Sequence, residues 1–222
     1  PRSRHRRGRR ARLKAERHSH RQEDFPPMII DPRSTEPLNL YKLLIGSVLP
    51  RPIAFVSTVG ADGIYNLAPY SFFTAVSANP PILAFAPQLS AEGRRKDTLI
   101  NCERLGEFVV NVVSEDVVRQ MNETAADFPP EIDEFEVSGL TPVPSEVVAV
   151  PRVKECHVAM ECKLREIVQL SSLPMGGSLV LGEVVRIHVD DDYFDDFRID
   201  PDKLRAVGRM AGATYARTTD RF

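Results

Sequence analysis

Apolar and polar positions between residues 51 and 85, "RPIAFVSTVGADGIYNLAPYSFFTAVSANPPILAF", fall into strand-length runs broken by turn residues. The pattern predicts a strand over about 52–59, a tight turn at "GADG", and a second strand completing a hairpin. A third strand, "PILAFAP", follows the double proline. Upstream, "NLYKLLI" predicts a short helix over 39–45 and a turn near Pro50. Downstream, "KDTLINCERLGEF" predicts a helix over 96–105, with Leu99, Cys102 and Leu105 on one face and Gly106 as its stop. "FVVNVV" reads as a buried strand, and "SEDVVRQMNETA" as a helix capped by Ser114. Residues 127–151, rich in proline and acid, read as a surface excursion. Two long strands follow across a "PMGG" turn, the first placing Val158, Met160, Cys162 and Leu164 on one face. An acidic "DDDYFDD" stretch and a helical turn begun by Pro201 come next. Strands at hairpin spacing with a few short helices predict a closed antiparallel barrel with additions.

Composition leaves that picture intact and narrows the classes. The 222 residues are 42% hydrophobic and 27% charged, as in an ordinary globular chain. No apolar run approaches the roughly 20 residues of a membrane span, so no membrane role is expected. The three cysteines, Cys102, Cys156 and Cys162, form no close pair, which suggests a reducing compartment and a cytoplasmic location. The net charge of −2 hides an asymmetry, because residues 1–27 carry ten Lys and Arg against three Asp and Glu. This almost wholly polar tail is expected to be disordered, with a folded domain over 28–222 and a functional start near Met28. Binding to nucleic acid or an acidic surface, or organelle targeting, are alternatives for the tail. The expectation is that it is dispensable and that nucleic acid is not a partner.

Candidate chemistry concentrates in one region. There is no Gly-x-Gly-x-x-Gly fingerprint, no Walker loop, no Gly-x-Ser-x-Gly elbow and no CxxC or HxxxH spacing, so no metal site is expected and no catalytic residue is assigned. His157 beside Cys156 reads as core chemistry rather than as a ligand set. The stretch 66–85 is different. Asn66, Ser71, Thr74, Ser77 and Asn79 interrupt its apolar run, and Pro69, Pro80 and Pro81 each lack a backbone donor, as if part of this backbone were kept open for a ligand. Ser57 and Thr58 close the preceding strand with hydroxyls. Lys96 and Thr98 begin a helix, where free amides and the helix dipole favour an anion. Ordinary strand ends and helix starts also look like this, and spacing alone leaves both readings open.

These three segments, "RPIAFVSTVGADGIYNLAPYSFFTAVSANPPILAF", "KDTLINCERLGEFVVNVV" and "VGRMAGATYAR", resemble the flavin-reductase-like family of FMN-binding split-barrel flavoproteins. The likeness extends from about Leu38 to Tyr215. It implies a mainly β (α+β) fold, a six-stranded antiparallel Greek-key split barrel with a few short helices, and a homodimer binding FMN near the subunit interface. It implies an NADH- or NADPH-dependent flavin reductase or related oxidoreductase, in some members serving a partner monooxygenase. A flavin-holding electron carrier without turnover is the alternative, and a nucleic-acid-associated protein acting through the tail a more distant one. By resemblance, Ser57 and Thr58 lie at the ribityl phosphate, completed by Lys96 and Thr98. Asn66, Ala68, Pro69, Tyr70 and Ser71 lie along the polar edge of the ring. Arg209 and Tyr215 close the site or meet the nicotinamide nucleotide. Arg51 either reaches phosphate or holds a turn.

Overall fold

Strand β1, Ala54–Val59, is buried on both faces, and the sheet order explains why. The computed structural model describes residues 27–222, and the chain divides into two units, Pro1–Thr35 and Glu36–Phe222. In the described part of the first, Asp31 caps a 3-10 turn at Pro32–Ser34 by accepting from the Arg33 N–H at 2.9 Å. The expectations for the basic tail, Pro27 apart, lie outside the described residues.

The second unit begins with α1 (Pro37–Ser47), then β1, β2 (Tyr65–Tyr70), β3 (Phe73–Ala78) and β4 (Pro81–Phe85). Next come α2 (Asp97–Leu105), β5 (Glu107–Val112), α3 (Val118–Glu123), α4 (Glu134–Ser138) and the short β6 (Pro142–Val143) and β7 (Arg152–Val153). The long β8 (Val158–Gln169) and β9 (Ser178–Val189) follow, then β10 (Phe194–Asp195), β11 (Arg198–Ile199), α5 (Pro201–Leu204), β12 (Val207–Arg209) and β13 (Tyr215–Arg217). Seven strands form one antiparallel sheet in the order β2-β1-β5-β8-β9-β4-β3, and the short strands pair in three two-stranded ribbons. No helix of the described residues is long and apolar enough to cross a membrane.

Chain connectivity curls this sheet. β2 and β3 are its two outermost strands, yet only Ser71 and Phe72 join them. At about 4.8 Å per strand a flat sheet would hold those edges nearly 30 Å apart, whereas the three Cα–Cα steps from Tyr70 to Phe73 reach about 11 Å at most. The sheet therefore rolls into a barrel with a seam at Ser71–Phe72. Alternate residues of β1 then face two cores. Ala54 and Val56 point inward to Leu83, Phe85, Phe108, Val110, Cys162 and Val180, with Leu99 and Cys102 of α2 in the same cluster. Ile53 and Phe55 point outward to Leu67, Met121 of α3, Phe135 of α4 and Val207. This two-sided burial replaces the alternation of a strand with one wet face.

Three sequence expectations need correction. The expected six strands become seven in the main sheet, because β3 is a separate edge strand exposed along most of its length, a role its hydroxyls and small residues permit. Ser114 does not cap a helix. It bridges to Ala206 and the helix begins after Val117, since the backbone there pairs with the C-terminal segment instead. The 127–151 excursion is partly core, with Phe135, Leu140, Val148 and Val150 all buried. Its anchor is the fully buried Glu161 of β8, which accepts from the N–H groups of Glu146 (2.8 Å), Val147 (2.7 Å) and Val148 (3.1 Å). Burial alone would raise the Glu161 carboxyl; these bonds and His188 offset it and hold the group below its usual range.

Gly182 of β9 marks the tightest point of the inner core. A Cβ there would lie 2.2 Å from the Phe108 ring, and that ring is fully buried and packed edge-on against Phe85 at 5.3 Å. Gly182→Ala is expected to destabilise the protein by about 1–3 kcal/mol through overpacking, read as a lower urea midpoint with the slope unchanged.

Candidate functional site

Helix α2 is fastened to the β1–β2 hairpin by side-chain bonds that fix where its N-terminus points. The Asn66 amide donates to the Thr98 hydroxyl at 2.9 Å, and the Asn101 amide donates to the Thr58 hydroxyl at 3.1 Å. Farther along, the Arg104 guanidinium donates to the Val59 carbonyl at 2.6 Å. Register explains the pattern, since Thr58 lies directly opposite Asn66. Lys96 is the N-cap residue and supplies no side-chain cap, so the first amides of α2 are not satisfied by it. Arg94 enters from a tight turn closed by Ser90, whose N–H donates to the Arg94 carbonyl at 2.9 Å.

The outer edge of β2 faces this helix start. The Leu67 N–H turns away from β1 and donates at 3.0 Å to Glu134 of α4. Two residues on, Pro69 has no N–H, so that register of the open edge presents a carbonyl without a donor. Three adjoining cavities meet at Pro69. The first is bordered by Asn66, Ala68, Tyr70, Lys96, Thr98, Arg94 and Glu134, with residues 124–128 as its far wall. The second adds Ser71, Tyr41 and Phe72 at the seam. The third runs from Ser71 to Arg209 and Tyr215, over Met121 and Ala125.

The structure thus brings Asn66, Ala68, Pro69, Tyr70, Ser71, Lys96, Thr98 and Arg209 around one junction. Ser57 and Thr58 border none of these three cavities. Adjacent strand residues point to opposite faces, and both hydroxyls are fully buried. Ser57 donates to the Pro151 carbonyl at 2.6 Å, and Thr58 accepts from Asn101. Arg51 holds a turn: its buried guanidinium donates to the carbonyls of Ile45, Val48 and Met210 and to the Ser71 hydroxyl. Arg209 lies over the Tyr215 ring at 4.6 Å, and the Tyr215 hydroxyl donates to Asn122 at 2.7 Å. No group of three or more candidate metal-ligating side chains occurs among the described residues.

Residues 45–205 match the model of the family described as "Flavin reductase like domain". The chain belongs to the flavin reductase-like family. Nitrilotriacetate monooxygenase component B from Bacillus cereus superposes with a TM-score of 0.85 at 42% identity, covering 89% of this chain and 98% of that one. The 2-nitrobenzoate 2-nitroreductase NbaA of Pseudomonas fluorescens gives 0.79 at 35% identity, covering 88% and 94%. A Shewanella frigidimarina protein with a split barrel domain gives 0.75 at 24% identity, covering 88% of this chain and 98% of that one, and shares the fold. The curled seven-stranded sheet is this family's split barrel.

Reading the sequence missed Glu134, Asp127, Arg94 and Tyr41 as neighbours of the junction. The two acids lie in the stretch read as a surface excursion, and nothing in their spacing ties them to β2. Glu134 is only 7% exposed. Burial, reinforced by Asp97 and Asp133, pushes its carboxyl up to about 7, and the Leu67 N–H bond only partly opposes the rise. Between the usual carboxylate range and pH 7 the folded chain keeps a proton that the unfolded chain has released. Stability therefore falls as pH rises through that window. Glu134→Gln retains an acceptor for Leu67 and removes the titration. Relative to the parent, the variant is expected to gain about 1–2 kcal/mol between pH 5 and pH 8, a figure discounted for the bordering cavity. Parallel pH–stability curves for the two proteins would contradict this.

Proposed function

We propose that this protein binds FMN and acts as an oxidoreductase, taking hydride from NADH or NADPH and passing reducing equivalents to free flavin or another acceptor. One observation carries the reading: a cationic helix start and a proline-interrupted strand edge converge at Pro69. FMN joins a phosphate dianion to a flat ring with a polar rim, and the residues present fit both ends. Lys96, Arg94 and the first amides of α2 suit the phosphate. Ala68 and Pro69 keep the β2 edge low enough for a ring to approach its backbone, with Asn66, Tyr70 and Ser71 alongside.

Bound FMN would supply a hydride acceptor and two-electron chemistry. The chain's share is orientation and exclusion of water. Asn66, itself held by Thr98, fixes the width of the cleft between β2 and α2. Burial raises the Tyr70 phenol well above its usual range, so this group stays neutral at the cavity wall. Arg209, steadied by Tyr215, places a cation in the third cavity, where the phosphates of a nicotinamide nucleotide would be met. No side chain has to act as a general acid.

A second copy of this chain completes the proposed assembly. Helix α1 buries none of its residues although Leu38, Leu43 and Leu44 are apolar, and β3 leaves an open edge with Val76 exposed. An exposed apolar helix and an unpaired edge strand both call for cover, and a homodimer would supply it. A relative named as a monooxygenase component makes a partner monooxygenase the proposed acceptor, and three free buried thiols suit a reducing cytoplasm.

The reading is tested by adding FMN and then NADH or NADPH anaerobically. FMN fluorescence should be quenched at micromolar protein, and the bound flavin should bleach with one of the two donors. Lys96→Ala should weaken FMN binding by about 1–3 kcal/mol. Ser57→Ala should leave it unchanged while lowering stability by about 1 kcal/mol, because its hydroxyl serves Pro151. Quenching without bleaching by either donor would leave a flavin-holding protein, and no quenching would end the proposal.

A further inference from the structure

The cations of the first cavity already have an anion. Asp127, from the loop between α3 and α4, accepts a hydrogen bond from the Lys96 ammonium and lies 3.6 Å from the Arg94 guanidinium. It reaches them from the far wall of the cavity, across from β2. Lys96 as hydrogen-bond donor, with both cations close by, holds the Asp127 carboxyl below its usual range, so it is ionised at neutral pH. Asp97, in the first turn of α2, borders the same space. Asp97 and Asp127 therefore offset part of the charge of the two basic side chains, while Glu134 on the same wall is drawn toward its neutral form, so the cationic field of the helix start is moderated.

A phosphate arriving here meets cations that Asp127 already holds, and must displace or share with its carboxylate. The contact is built for release. The Asp127 side chain is about half exposed, so the bond between it and Lys96 is of the weak, solvent-screened kind that reforms easily. We propose that Asp127 is an internal competitor for the flavin phosphate, lowering the affinity for FMN selectively over a flavin without phosphate and keeping FMN exchangeable rather than permanently held. This rests on the flavin reading above and adds to it the residue that sets how tightly the phosphate is gripped.

The test compares FMN with riboflavin, which has the same ring and ribityl chain but no phosphate. Dissociation constants and release rates are measured by flavin fluorescence for the parent, Asp127→Asn and Asp127→Ala. Both variants should bind FMN roughly threefold to tenfold more tightly and release it more slowly, with riboflavin affinity unchanged. FMN affinity that is unchanged or weaker in both variants would overturn the proposal. Equal tightening towards riboflavin would also overturn it, since Asp127 would then be shaping the ring pocket instead. If no protein binds either flavin, the flavin reading itself falls, and the competitor role falls with it.

Discussion

Two residues, Ser71 and Phe72, join the outermost strands of a seven-stranded sheet, and this short tether forces the sheet to roll, drawing its two edge strands together at the seam without pairing them. The consequences spread from that closure. β1 becomes a two-sided strand, Phe108 is driven against Gly182 in the narrow interior, and the outer edge of β2 is brought to the seam. A strand edge ordinarily seeks a partner strand. Here Glu134 takes one donor, Pro69 deletes the next, and α2 stands across the gap on bonds from Asn66 and Asn101. The cleft is a product of barrel closure and of a strand kept from pairing.

The electrostatics follow from the same geometry. α2 brings the start of a helix dipole to the cleft, and Lys96 and Arg94 add charge to it. The chain then restrains that field with carboxyl groups from a different segment. Glu134 and Asp127 belong to one stretch yet meet opposite conditions. Glu134 is buried against β2 and drawn toward its neutral form; Asp127 is half exposed beside two cations and stays charged.

Much of the fold was legible because local signals were strong. Gly106 ended α2 in the left-handed conformation its position requires, and "GADG" linked β1 to β2. The prolines and small polar residues over 66–85 suggested backbone kept free of a neighbouring strand, and β2 and β3 within that stretch are the two edge strands of the sheet. What stayed hidden depended on distant partners. β3 could not be told from a loop because an exposed edge strand has little hydrophobic pattern to show. The 127–151 stretch looked like surface because its acids and prolines outnumber its apolar residues. Its buried polar anchor, Glu161, lies outside the stretch on β8, where nothing in the local pattern marks it as the partner of Glu146, Val147 and Val148. Ser57 and Thr58 show the limit of a motif: the pleat turns their hydroxyls to opposite faces, where Pro151 and Asn101 engage them, and neither borders the cleft.

The claim that the junction at Pro69 is a flavin site is tested most directly by a crystal structure of the protein grown with FMN. The account predicts a phosphate within hydrogen-bond distance of Lys96 and the first amides of α2, with the ring along β2 from Asn66 to Ser71. Asp127 should be moved away from Lys96. FMN bound elsewhere on the barrel, or a phosphate held by Ser57 with Lys96 still paired to Asp127, would contradict it.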